Sequence, residues 1–120
     1  MTKLFYMPLY VDVFEAATAH LTRTEDGTYN RLLRLCWRQS GCSVPDDPSW
    51  IARRMRCDME EYHDEVEPII REFFRRENGR VFQGRQRREW VKAIELAEKR
   101  AAAGRKGGQK ASALKTKETA

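Results

Sequence analysis

From Asp47 to Phe82 the chain carries helix and turn signals at a spacing that few small folds accept: two helices about two residues apart, then a hairpin. Val44-Pro45-Asp46-Asp47-Pro48 reads as a turn in which either aspartate can cap a helix and Pro48 suits its first turn. That short helix carries Trp50, Ile51, Ala52 and Met55 and ends at a tight connection, Arg56-Cys57. Asp58 and Glu61 then form a capping box, each side chain satisfying the other's backbone amide. Met59, Tyr62, Val66, Ile69, Ile70 and Phe73 mark an amphipathic helix to about Phe74. Pro68 lies inside it and has no amide to bond back to Asp64, so a kink or interruption is expected. Asn78-Gly79, both tolerant of positive φ, predicts a two-stranded antiparallel hairpin over 74–82.

Upstream, aromatic and aliphatic residues around Pro8 give an extended entry and then a short helical turn near Asp12 to Ala17. A first capping box, Thr22 with Glu25, opens a helix whose apolar face is Tyr29, Leu32, Leu33, Cys36 and Trp37. Its outer face carries Arg31, Arg34 and Arg38, and Ser40-Gly41 ends it. Downstream, Trp90, Val91, Ile94 and Ala97 share one face of a last helix. A two-stranded hairpin is marginal alone and must pack on the helices. The order of elements predicts a mainly α fold with a small β-hairpin, a winged helix-turn-helix. Its core is expected around Tyr29, Leu33, Trp37, Ile51, Val66, Ile70, Phe73 and Trp90. The expected organisation is a winged-helix-like domain with its C-terminal helix over 1–103. Gly104-Arg105-Lys106-Gly107-Gly108 should end order and begin a basic flexible tail, 104–120.

Several function classes are excluded by composition. No apolar run approaches the roughly 20 residues of a membrane helix, and the N-terminus lacks a secretory pattern. Three cysteines, Cys36, Cys42 and Cys57, cannot all pair internally, so reduced thiols in a cytoplasm are expected. Those cysteines, with His20 and His63, show no short paired spacing, so no metal is expected. No nucleophile stands at a diagnostic distance from a histidine, and the Gly-Arg-Lys-Gly-Gly run lacks phosphate-loop spacing. Neither a cofactor nor an enzymatic activity is expected.

Charge is distributed unevenly. Residues 1–84 hold 12 basic and 14 acidic side chains, whereas 85–120 hold 11 basic and 4 acidic. The helix opening at Asp58 would ordinarily enter a major groove, yet Asp58, Glu60, Glu61, Asp64, Glu65 and Glu67 crowd its first ten residues. Six carboxylates against a phosphate every 1.7 Å or so of duplex axis are repulsive, so base readout by that helix is rejected. Its acidic face, Glu60, Glu61, Asp64 and Glu65, is either a dock for a basic protein partner or a solvated helix face. The candidate nucleic-acid contacts are elsewhere. Arg75, Arg76, Arg80, Arg85, Arg87 and Arg88 fall within fourteen residues that include one acid, Glu77. Guanidinium groups grip phosphate bidentately, although arginines also cover apolar surface. Lys99, Arg100, Arg105, Lys106 and Lys110 extend this cationic run, as do Lys115 and Lys117.

Tyr6, Pro8-Leu9-Tyr10-Val11-Asp12-Val13-Phe14, Thr18-Ala19-His20-Leu21, Glu25-Asp26-Gly27-Thr28-Tyr29 and Trp37-Arg38 follow a familiar pattern. So do Val44-Pro45-Asp46-Asp47, Ile51-Ala52-Arg53, Phe73-Phe74, Asn78-Gly79-Arg80 and the Gly104-to-Gly108 exit. With these residues the chain resembles the N-terminal domain of the YdaU-type family of phage and prophage replication modules over roughly 5–110. The resemblance implies replisome organisation: origin or single-strand DNA binding and help in recruiting a replicative helicase or its loader. Longer members continue past the basic segment. The expected function is therefore a non-enzymatic DNA-binding module that grips backbone, largely independent of sequence, through the wing and the basic C-terminal segment. A protein-interaction adaptor docking through 58–67, and a winged-helix transcriptional regulator, are the alternatives.

Overall fold

The computed structural model describes the backbone of residues 4–119 and the side chains of 4–108. An extended entry leads into α1 (Val11–Thr18), which packs against the long central helix α2 (Arg23–Trp37). α2 starts where the capping box places it: the Glu25 amide donates to Thr22 Oγ1 at 3.2 Å, and the Thr22 amide donates to Glu25 Oε1 at 2.9 Å. His20 pairs with Glu72 and stacks on Phe73, tying the α1–α2 connection to the far side of the core.

After a short 3-10 turn (Ser40–Cys42) come β1 (Val44–Pro45) and α3 (Pro48–Met55). Asp47 caps α3, accepting from the amides of Ser49 and Trp50. α3 ends at Arg56, whose backbone is left-handed at φ 61 and ψ 44. Asp58 and Glu61 form the second capping box and open one rod in three parts: α4 (Met59–Glu61), a π-helical turn (Tyr62–Val66) and α5 (Glu67–Phe73). The interruption expected at Pro68 thus takes the form of a wide turn. The Glu67 amide reaches five residues back to the Tyr62 carbonyl, and Pro68 falls in the first turn of α5, where no amide is required.

The hairpin is β2 (Arg75–Glu77) and β3 (Arg80–Phe82), turned by Asn78 and Gly79 with φ of 52° and 72°. Positive φ at both central residues is the type I′ geometry that matches strand twist. The sheet has three strands where two were predicted. β1 pairs antiparallel with β3, Val44 opposite Val81 and Pro45 opposite Arg80, in the order β1-β3-β2. Val44-Pro45 therefore belongs to an edge strand as well as to a turn, and an edge tolerates a proline that donates nothing to the ladder.

The core sits between α2, α3, the 59–73 rod and the inner face of the sheet. Leu32, Cys36, Ile51, Tyr62, Ile69, Ile70, Val44 and Val81 are almost wholly enclosed. Each aliphatic among them contributes about 1.5–3 kcal/mol by leaving water. Phe73 and Trp90, expected inside, are half-buried against this cluster, and Phe73 stacks on Tyr29 at 4.4 Å between ring centres. α6 (Gly84–Thr119) is locked down by a buried amide: Gln86 Nε2 donates to the Leu33 carbonyl at 2.6 Å. The helix does not end at Gly104 as predicted. Its backbone stays helical to Thr119, since none of its glycines takes the left-handed φ of a C-cap and no proline follows. Glycines cost about 1 kcal/mol each inside a helix, which alanine, lysine and arginine on either side offset. α6 extends the molecule to 71 × 32 × 24 Å. Among the described residues no helix is long and apolar enough to cross a membrane.

Candidate nucleic-acid interface

The arginines that the sequence groups together divide into two sets. Arg76 turns back onto the body. Its Nη2 donates to Glu67 Oε2 at 2.6 Å and its Nε to Asp46 Oδ1 at 3.3 Å, while the Tyr62 hydroxyl donates to the same Glu67 oxygen at 3.0 Å. Burial alone would push the Glu67 carboxyl up, but the hydrogen bonds from Arg76 and Tyr62 outweigh it and hold the group below its usual range. Burial and that same bond push the Tyr62 phenol up to about 12. Arg80 is also tied down: Nε donates to Ser43 Oγ at 3.0 Å and Nη2 to the Ser43 carbonyl at 2.8 Å. Both arginines staple the hairpin to the segment around β1.

Arg75, Arg85, Arg87 and Arg88 make no ion pair among the described residues. Arg75, Arg87, Arg88 and Lys92 line a shallow, open groove between the outer face of the hairpin and the first turns of α6. Phe82 floors this groove, with the Arg87 guanidinium 4.5 Å above its ring, and Glu77 is the one acid on its wall. Arg85, one turn before Arg88 on α6, lies over the ring of Tyr10 at 5.6 Å. Residues 85, 88 and 92 share one side of α6, and Lys99 and Lys106 return to it seven and fourteen residues after Lys92. Together they make a strip about 32 Å long at 1.5 Å per residue in which cations outnumber acids, Glu95 standing on the same side and Glu89 pairing with Lys92. Arg100 and Arg105, exposed, stand on other sides of the helix. Lys110 lies outside the residues whose side chains are described, as do Lys115 and Lys117.

The acidic helix start is equally well defined. Glu60, Asp64 and Glu65 are exposed and make no ion pair among the described residues, while Glu61 is spent on the capping box. Burial pushes up the neighbouring Cys57 thiol, and so do the charges of Glu61, Asp58 and Glu65. Burial raises the Cys36 and Cys42 thiols to about 12, as expected of enclosed thiols. No three histidine, cysteine or carboxylate side chains gather to hold a metal among the described residues.

Two features escape the sequence. Tyr10 is brought to α6 from 79 residues away, its hydroxyl donating to Glu89 Oε2 at 3.2 Å, and no local pattern signals that. The inward turn of Arg76 was legible in principle. A two-residue Asn-Gly turn puts Arg76 opposite Val81, so an apolar Val81 facing the core draws Arg76 to the same face.

No curated protein and no solved structure matches the chain. One family does, over residues 5–90, which take in α1, all three strands and the beginning of α6. The chain belongs to the family described as "Protein of unknown function (DUF1376)".

Proposed function

We propose that this chain is a non-enzymatic DNA-binding module of winged helix-turn-helix type. It grips the sugar-phosphate backbone largely without base readout. The order α2, β1, α3, the 59–73 rod, β2, β3, with β1 added to the hairpin, supports the winged-helix reading. One observation carries the function: Arg75 on β2 and Arg85, Arg87 and Arg88 at the start of α6 are exposed and make no ion pair among the described residues, while the helix that would ordinarily read bases bears carboxylates equally unpaired among them. Free guanidinium groups on a strip that continues down α6 neutralise several phosphates at once. The resemblance to YdaU-type proteins supports a place in phage or prophage replication, as a replisome organiser or a recruiter of a helicase loader, in a cytoplasm.

Anisotropy titration across salt concentrations tests this. If about five phosphates are neutralised, the logarithm of affinity falls against that of salt with a slope near −4.5 on duplex. Absence of binding even at low salt overturns the reading. A second reading, an adaptor for a basic replication protein such as a helicase or its loader, is favoured by Glu60, Asp64 and Glu65 standing exposed and unpaired. Charge reversal there should abolish partner capture and leave DNA binding intact. A sequence-specific regulator is the third reading, and a salt-resistant footprint at one operator would mark it.

A further inference from the structure

Between α1 and the first turns of α6 lies a second groove, this one with an apolar floor, lined by Tyr10, Val13, Phe14, Leu33, Trp37 and Gln86 among others. Its cavity measures about 110 Å³. A closed apolar cavity of about 150 Å³ accepts one benzene, so this open one has room for a single ring. Trp37 and Gln86 are buried, and each carries an orphan: the indole Nε1–H donates to nothing and the amide Oε1 accepts nothing among the described residues. Orphaned buried groups are rare and call for a partner. A hydroxyl, at once donor and acceptor, can answer either of them. The entry segment beside this groove exposes large side chains: Tyr6 is 79% exposed, Phe5 86% and Tyr10 51%, with Leu9, Val11 and Val13 exposed as well. The three rings alone present roughly 300–550 Å² to solvent. The whole largest apolar patch of a monomer is ordinarily about that size, and here the aliphatic side chains add to it.

We infer that this face pairs two copies of the chain about a twofold axis, Tyr6 of each copy entering the α1–α6 groove of the other. A twofold contact requires one self-complementary patch, with the docking residue and its receptor on the same surface. That condition is met: residues 7–10 line the groove, while Tyr6, next to them in the chain, does not line it and stands out in solvent. The Tyr6 ring matches the cavity in size, and its hydroxyl matches the orphans on Trp37 and Gln86 in chemistry. The area is of the right order too. A stable interface covers about 800 Å² on each partner, and the exposed rings with Leu9, Val11 and Val13 supply most of that. No residue that lines this groove also lines the arginine groove over Phe82, so the pairing and the nucleic-acid reading do not depend on each other.

Sedimentation velocity on the full chain, without nucleic acid, tests this. The wild type should pass from monomer to dimer with a dissociation constant of about 1–100 µM, the range of a contact at the small end of stable interfaces. Tyr6→Ala should weaken the pairing on the order of a hundredfold, because a twofold contact loses the ring twice. Tyr6→Phe, which keeps the ring and loses the hydroxyl, should weaken it about tenfold. Val13→Glu, at a half-exposed position on the groove wall, should abolish it. Circular dichroism melts of the three variants exclude loss of fold. A folded Tyr6→Ala or Val13→Glu variant that dimerises as the wild type does would place the contact elsewhere and overturn the inference. A wild type that stays monomeric to several hundred micromolar overturns it as well. Should that monomer bind free p-cresol in the groove, the cavity serves a ring from another partner instead.

Discussion

Arg80 and Arg85 are five residues apart, alike in charge, and opposite in use. Arg80 is half-buried and spends its donors on the Ser43 hydroxyl and carbonyl. Arg85 is exposed, lies over an aromatic ring and has no carboxylate partner within 4 Å among the described residues. The same division separates Arg76, clamped by Glu67 and Asp46, from Arg87 and Arg88. A run of arginines is therefore two machines: one fastens a hairpin to its sheet, and the other leaves charge available to an anion. The comparison teaches that cationic density in a sequence overstates the binding surface by whatever fraction the fold consumes.

The sharpest way to break this comparison is to remove the free set together. Replacing Arg85, Arg87 and Arg88 with alanine should lower DNA affinity on the order of a hundredfold at low salt and flatten the salt slope by about three, alike for all sequences. Melting temperature should move little, because among the described residues none of the three side chains makes an ion pair or a hydrogen bond to the body. A large loss of stability in that variant would merge the two sets.

The reverse experiment takes Arg80. Arg80→Ala strips the donors from the buried Ser43 hydroxyl and carbonyl and should cost about 2 kcal/mol in chemical denaturation. Its effect on DNA affinity should stay within about threefold, the loss expected of one distant charge. A loss like that of the triple variant would put Arg80 in the interface instead.

These assignments mark what a sequence can and cannot show. Both capping boxes, the Asn-Gly turn and the tight turn at Arg56 were legible because each is settled by residues three or four apart. The edge strand at Val44 was not, since two residues with a proline carry no alternation and are fixed only by Val81, 37 positions on. The fate of Arg80 depended on the same distant pairing. The continuation of α6 past Gly104 was hidden by reading three glycines as a stop, although a stop requires a left-handed glycine or a following proline. For the site, sequence located the cationic stretch, and the hairpin register marks Arg76 as inward, but no local pattern ties Arg80 to Ser43 or brings Tyr10 to α6.

A third measurement separates the sets by pH. Glu67 has its pKa lowered in the folded protein, against an ordinary value of 4.5. The stabilisation it carries is thus fully present above that ordinary value and is lost as pH falls through the depressed folded value. Stability of the wild type should fall as the solution is taken below about pH 4.5. Arg76→Ala should cost about 1 kcal/mol at neutral pH and remove much of this acid-sensitive component, because the strongest bond holding the carboxylate is gone. Alanine at Arg88 should leave the pH profile as it is. An identical profile for Arg76→Ala and the wild type would sink the clamp.

The smallest effect concerns an arginine in neither set. Arg56 caps α3 in a left-handed conformation that a side chain occupies at a cost of about 1 kcal/mol and glycine occupies freely. Its guanidinium makes no ion pair among the described residues and stands directly before the acidic helix start. If DNA keeps to the α6 strip, Arg56→Gly should gain roughly 0.5–1 kcal/mol of stability and leave the salt slope unchanged. A slope shallower by about one would mean that phosphate also reaches the helix-turn-helix corner. The neighbouring Arg53 and Arg54, the latter 4.4 Å over Trp50, would then have to be counted among the free cations too.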